Sequence, residues 1–392
     1  MPEETLPEVS ESTSRPENGS LRELALFFLR LGTTAFGGPA AHVAIMEDEL
    51  VRRRRWLSRE KFLDLLGASN LIPGPSSSEL AIHIGYLRVG WRGLLVAGAC
   101  FISPAAIIVA ALAWFYVHFS SLPATAAILY GVKPVVIAVI LQALWGLGRT
   151  AVKTPFLGFL GAISAVLAFL GLHPLLLLVL AGSAACLPNL QRSRLSLAAF
   201  SVSSAPVAAF GGTATSFSLV SLLLVFLKLG AVVFGSGYVL LAFLRADLVV
   251  HRGWLTDSQL IDAVAVGQVT PGPVFTTATL VGYLLGGVRG SVVATVGIFL
   301  PAFLLVAASA PLVPRIRRSK IAGAFLDGVN VGSLALMAEV SWQLARTSLV
   351  DIVTVVLAAA SLVALFRLRV NSAWLVLVGA VAGLATHAFH SS

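Results

Sequence analysis

Phe28-Leu29-Arg30-Leu31-Gly32 returns 198 residues later as Phe226-Leu227-Lys228-Leu229-Gly230. The same displacement carries Phe36-Gly37 onto Phe234-Gly235, Trp56-Leu57 onto Trp254-Leu255, Asp64 onto Asp262, and Pro73-Gly74-Pro75 onto Pro271-Gly272-Pro273. One residue is then lost. At 197, Gly85-Tyr86 meets Gly282-Tyr283, Arg92-Gly93 meets Arg289-Gly290, Pro104 meets Pro301 and Gly131-Val132 meets Gly328-Val329. A register kept through so many Gly, Pro, Trp and Arg positions marks a duplication. The reading is an N-terminal repeat over 21–190, a Ser/Ala/Gly-rich linker over 191–218 and a C-terminal repeat over 219–386. Residues 1–20, acidic and rich in Ser, Pro and Glu, read as a disordered tail.

Each unit is built of apolar runs. Leu94–Phe115 holds no charged residue and exceeds the roughly 18 residues needed to cross about 30 Å of hydrocarbon. Only 11% of the 392 residues are charged and 57% are hydrophobic, whereas a soluble domain carries about 25% charge. Such a chain cannot cover its own surface in water. Soluble enzymes, nucleic-acid binders and secreted disulfide scaffolds are excluded, and the net charge of +9 reads as cytoplasmic loop charge. Cys100 and Cys186 lie in apolar runs and read as packing residues.

Charge placement sets the topology. If the Pro-Gly-Pro segment dips into the membrane and returns, Arg52–Arg55, Arg88, Arg92, Arg149 and Lys153 share one side, and the uncharged Ser120-Ser121 turn lies opposite. Five helices per unit then invert the second copy, placing its cluster at Arg315, Arg317, Arg318 and Lys320 inside as well. The expected fold is an all-α polytopic membrane protein of two homologous inverted repeats. It has about 10 transmembrane helices plus two broken, re-entrant Pro-Gly-Pro segments. Secondary transporters recurrently use this build.

Proline stops a helix and lets another begin. Broken backbone at membrane depth must be buried in protein or line a watery cavity. The helices restarting after Pro73-Gly74-Pro75 and Pro271-Gly272-Pro273 therefore aim free N–H groups and their positive dipole ends at one cavity. Ser76, Ser77 and Ser78 add hydroxyl donors in the first unit, Thr276 and Thr277 in the second. That set suits an anion. Gly37, Gly38 and Gly235 serve close packing, pore lining or both. Intramembrane cations demand partners: Arg30 and Lys228, equivalent in the repeat, and Lys133 are candidates to meet the anion or a carboxylate such as Glu79 or Glu339. Glu79 reads as a proton-coupling carboxylate or as a helix N-terminal charge. His42 and His83 read as pore or packing residues, since neither their spacing nor their neighbours make a metal site. No catalytic set is found.

Phe36-Gly37-Gly38-Pro39-Ala40-Ala41-His42, Asn70-Leu71-Ile72-Pro73-Gly74-Pro75, Ala81-Ile82-His83-Ile84-Gly85-Tyr86 and Gly131-Val132-Lys133-Pro134 stand in this order. Thr270-Pro271-Gly272-Pro273 and Val281-Gly282-Tyr283 follow. This series resembles the chromate ion transporter family in its long, two-unit form. The resemblance implies export of chromate from the bacterial cytoplasm through the inner membrane, conferring resistance. Ser76-Ser77-Ser78 and Phe234-Gly235-Ser236-Gly237 depart from the family pattern and leave ion choice open, with sulfate or molybdate as alternatives. Neither ATP nor another cofactor is expected, nor a metal or nucleic acid. The reading admits coupling protons and a homodimer. The alternative of another class, an intramembrane lipid-processing enzyme, would need an interfacial acidic or His cluster that the basic loops lack.

Overall fold

The computed structural model describes residues 20–36, 38–70, 72–119, 123–192, 217–234, 239–309, 320–368 and 370–391, and all its regular elements are helices. The acidic tail to residue 19, most of the linker, Gly37, Gly235, the Ser120-Ser121 turn and the Arg315–Arg318 cluster lie outside the described residues. The first unit comprises α1 (Leu21–Thr34), α2 (Gly38–Met46) with a π-helical extension (Glu47–Arg53), α3 (Arg59–Ser69), α4 (Ser76–Phe119), α5 (Pro123–Ala151), α6 (Pro155–Phe169) and α7 (Pro174–Arg192). The second unit repeats them: α8 (Leu219–Val232), α9 (Val239–Leu244) with its π-helical extension (Arg245–His251), α10 (Asp257–Val269), a 3₁₀ turn (Val274–Thr276), α11 (Thr277–Ser309), α12 (Lys320–Ser348), α13 (Ile352–Val363) and α14 (Ser372–Ser391).

Four described helices, beginning at Ser76, Ala124, Val274 and Ile321, are long and apolar enough to span a bilayer, and shorter apolar helices accompany them. Large side chains such as Ile107 (68% exposed), Phe159 (66%) and Leu304 (61%) cover the outside. Outward apolar surface on this scale marks lipid, not water, as the surrounding solvent.

Both long first spans contain a reversal. In α4, Val89 leaves helical geometry and Gly90 takes φ 63°; in α11, Gly286 and Gly287 (φ 58°) do the same. A positive φ of this kind favours glycine because it has no Cβ to clash. The arms then run back side by side. A Cβ on Gly85 would lie 2.2 Å from the Gly93 carbonyl oxygen, and one on Gly282 2.3 Å from that of Gly290. Each short arm thus returns to the side from which its unit entered. Arg88, at the end of the first, sits 4.6 Å over the ring of Trp56, which precedes α3. The Pro-Gly-Pro segment is therefore re-entrant.

The stretch Leu21–Val43 holds two helices rather than one. α1 ends at Ala35, and α2 turns back along it: Trp56 meets Phe27 edge-on at 6.0 Å and Arg54 lies over the Phe27 ring. Gly38, at φ 74°, and Pro39 open the returning helix. Inversion of the units then rests on packing, not on helix parity.

That packing is antiparallel and reciprocal. Gly98 of α4 abuts Phe303 of α11, while Leu94 clusters with Val306. Lys153, just past the end of α5, pairs with Asp327 near the start of α12 at 2.6 Å, and Tyr130 near the start of α5 donates to Asp351 beyond the end of α12 at 2.6 Å. Equivalent helices running in opposite directions require a pseudo-two-fold axis across them, in the membrane plane. Two backbone bonds obey the same axis. Gly74 N–H donates to Val233 O (2.7 Å), and Gly272 N–H to Ala35 O (3.0 Å).

Candidate functional site

Those two bonds bring four interruptions of the backbone together at the core of the protein. The ends of α1 and α8 each accept an N–H from the Pro-Gly-Pro elbow of the other unit. Gly74 (φ 136°) and Gly272 (φ 91°) both hold backbone angles that L side chains rarely adopt. A Cβ on Gly272 would also lie 2.5 Å from that of Ala105, so the second elbow is wedged against α4.

From the first elbow the short arm of α4 begins with Ser76, Ser77, Ser78 and Glu79, all buried. The first N–H groups of a helix have no partner within it. Ser78 and Glu79 find the Pro75 carbonyl, at 2.7 and 3.0 Å. His42 of α2 reaches Ser77 Oγ at 3.4 Å and the Ala35 carbonyl at 3.2 Å, and stacks edge-on against Phe101. Ser78 Oγ, both Glu79 carboxylate oxygens and His83 Nε2 are buried without a hydrogen-bond partner among the described residues. The Glu79 carboxylate lies over the elbow, 2.3 Å from where a Cβ on Gly74 would stand.

The second elbow is chemically quieter. Thr276 donates its hydroxyl proton to the Pro273 carbonyl (2.7 Å) and Thr277 to that of Val274 (2.8 Å). The structure turns these two hydroxyls back on their own helix start, whereas Ser78 keeps its own unspent.

A cavity of about 900 Å³ reaches this region between the units. Gly38, Asn70 and Ser76 line its inner end, and Lys153 and Asp327 its rim. A second cavity, of about 390 Å³, touches Gly38 from another direction and is lined by Gln268, Thr270 and Gly272 of the second elbow.

The cations are partnered differently from the expectation. Lys228 pairs with Asp247 at 2.7 Å. Lys133 donates to Ser258 Oγ at 2.7 Å and lies 3.3 Å from Asp262 Oδ1; Tyr116 donates to the other Asp262 oxygen at 2.9 Å. Arg30 is exposed on α1 beside a cavity bordered by Thr34, Asp48 and Glu49. Neither Glu79 nor Glu339 serves Lys133 or Lys228, and Glu339 accepts from Gln343. The sequence reading missed Asp262, Tyr116 and Ser258 as a cluster. Its available signal was Asp262 itself, an acid at a repeated position inside an apolar stretch. No group of three metal-ligating side chains occurs among the described residues.

This fold is that of a multi-pass membrane transporter built of two inverted repeats. The family model for chromate transporters matches residues 22–186 and again 220–384, and the chain belongs to that family. It is 32% identical to a chromate transport protein of Cupriavidus metallidurans over 367 residues, 92% of each chain. A probable chromate transport protein of Synechococcus elongatus is 32% identical over 93% of this chain and 95% of its own. A chromate transport protein of Pseudomonas aeruginosa is 34% identical over 85% and 83%. No solved structure matches.

Proposed function

We propose that the protein is a secondary transporter exporting chromate across the bacterial inner membrane and thereby conferring chromate resistance. The observation that carries this reading is the buried start of α4: Ser76–Ser78 at a helix N-terminus, reached by the large cavity between the units. Main-chain N–H groups, serine hydroxyls and the positive end of a helix dipole are donors for an oxyanion. In this reading the ion sits at the Pro73-Gly74-Pro75 elbow with Gly38 beside it. Pro271-Gly272-Pro273, Thr276 and Thr277 frame it from the other unit. Arg30, Lys133 and Lys228 act at a distance, by steering or by holding the helices around the path.

Direction follows from charge. The cavity rim carries Lys153, on the side of Arg54 and Arg88, and lysine and arginine concentrate at the cytoplasmic face. Outward movement of a dianion down an interior-negative potential gains about 2.3 kcal/mol per charge per 100 mV, roughly 4.6 kcal/mol in all. No ATP is needed. Tetrahedral donors of this kind also accept sulfate and molybdate, so selectivity is read by competition. The test is initial uptake of labelled chromate into inverted membrane vesicles, with sulfate or molybdate as competitor. Saturable uptake that depends on this protein supports the reading. Uptake equal to that of vesicles lacking it overturns the reading.

A further inference from the structure

Unit two builds the same elbow and short arm as unit one without an acid or a histidine. Its corresponding turn holds Thr276 and Thr277, and Leu280 stands at the place of His83. The fold therefore does not require Glu79 and His83. Yet Glu79 and Ser78 are fully buried and His83 is 2% exposed, and the Glu79 oxygens, Ser78 Oγ and His83 Nε2 have no hydrogen-bond partner among the described residues. Buried polar groups are normally satisfied, and an exception asks for an explanation. Glu79 and His83, four residues apart, share one face of the arm.

Among the described residues the surroundings supply no counter-charge. Against this arm α1 sets Phe28 and Leu31, α3 sets Phe62, and α11 sets Ala302 and Val306. Among the described residues the titratable group facing it from another element is His42 of α2, occupied by Ser77 and the Ala35 carbonyl. An ionised carboxylate left there is costly, and it would also repel an oxyanion at the adjoining amides. With a proton, the same carboxyl becomes an O–H donor toward that oxyanion.

We propose that Glu79 is a proton-binding site coupled to the transported anion, one proton moving with each dianion, with His83 passing that proton to and from Glu79. The inference rests on the oxyanion site placed at the elbow above. Proton and anion bind with positive coupling, so the cargo carries a net charge of −1. Export then draws less from the membrane potential than a bare dianion would.

The test uses the full chain in liposomes, the potential clamped at zero with potassium and valinomycin, and both sides at pH 8 or above so that chromate remains a dianion. A one-unit pH difference should concentrate labelled chromate on the more alkaline side, about tenfold for one proton per anion. Glu79→Gln, which keeps the shape and cannot release a proton, should let chromate equilibrate without accumulation. Glu79→Asp should restore accumulation. His83→Leu, the residue unit two uses, should slow the flux and preserve its dependence on pH. Wild-type chromate equilibrating regardless of the pH difference overturns the coupling. Accumulation retained in Glu79→Gln and lost in His83→Leu moves the proton site to His83 and overturns the assignment to Glu79. Complete absence of chromate flux in the wild type would instead refute the transport reading on which the inference stands.

Discussion

Lys133 and Asp262 come from different units, 3.3 Å apart, with side chains 20% and 3% exposed. Removing one partner of such a pair leaves the other charge without compensation, at a cost of about 3–5 kcal/mol where burial is complete. Tyr116 still holds one Asp262 oxygen, so Lys133→Ala should fall toward the lower end of that range. Asp262→Ala should destabilise similarly, and the double variant by less than the sum, with a coupling of roughly 1–3 kcal/mol. Thermal unfolding of the purified variants measures this directly. Strict additivity would show that the two groups do not support each other. The elbow offers a second contrast. Gly74 holds φ 136° and faces the Glu79 carboxylate, so Gly74→Leu stores roughly 1–3 kcal/mol of backbone strain and displaces that group. Transport should drop sharply. Ser77→Ala removes one hydroxyl from the same helix start and should cost about 0.5–1.5 kcal/mol, a two- to tenfold change in chromate affinity. Normal chromate uptake by Gly74→Leu would mean the elbow is only a turn.

At the scale of elements, the hairpin inside α4 depends on glycines that do different work. A Cβ on Gly85 would strike the Gly93 carbonyl at 2.2 Å, a backbone atom that cannot move aside, whereas one on Gly90 meets nothing within 4 Å. Gly85→Leu and its counterpart Gly282→Leu should separate the two arms and abolish accumulation of folded protein. Gly90→Ala should retain the fold at a cost of roughly 1–3 kcal/mol, because φ 63° with ψ −145° is backbone nearly confined to glycine. Equal accumulation of Gly85→Leu and Gly90→Ala, scored by detergent-solubilised monodisperse protein, would show that the arms do not pack as described. The elements were legible from sequence where a local rule governs them. Proline and glycine announce the elbows wherever they fall, and lengths of apolar chain announce spans. Partnerships were not legible. Lys228 with Asp247, and Lys133 with Asp262 and Ser258, depend on which helices lie side by side, and no spacing along the chain encodes that. The return of α2 beside α1 was hidden for a related reason: a glycine cluster permits either a bend or a reversal, and packing of Trp56 on Phe27 selects the reversal.

For the molecule as a whole, the repeat register and the antiparallel packing make one geometrical demand. Arg52 and Val250 occupy equivalent positions, 198 residues apart, in the π-helical extensions of α2 and α9, and both are exposed. A pseudo-two-fold axis in the membrane plane must place them on opposite faces. The surrounding charge agrees, since Arg52–Arg55 form a basic run whereas the second copy sets Arg245 against Asp257 in an ion pair at 2.8 Å. Each protein carries one introduced cysteine, Arg52→Cys or Val250→Cys, in a background where Cys100 and Cys186 are replaced by alanine. A membrane-impermeant maleimide applied to intact cells should label the Val250 position and leave the Arg52 position unmodified; inverted vesicles should reverse the result. Because the two sites are related by the repeat, a parallel arrangement of the units would label both from one face. That outcome would break the axis, and with it the meeting of the two elbows on which the proposed anion site rests.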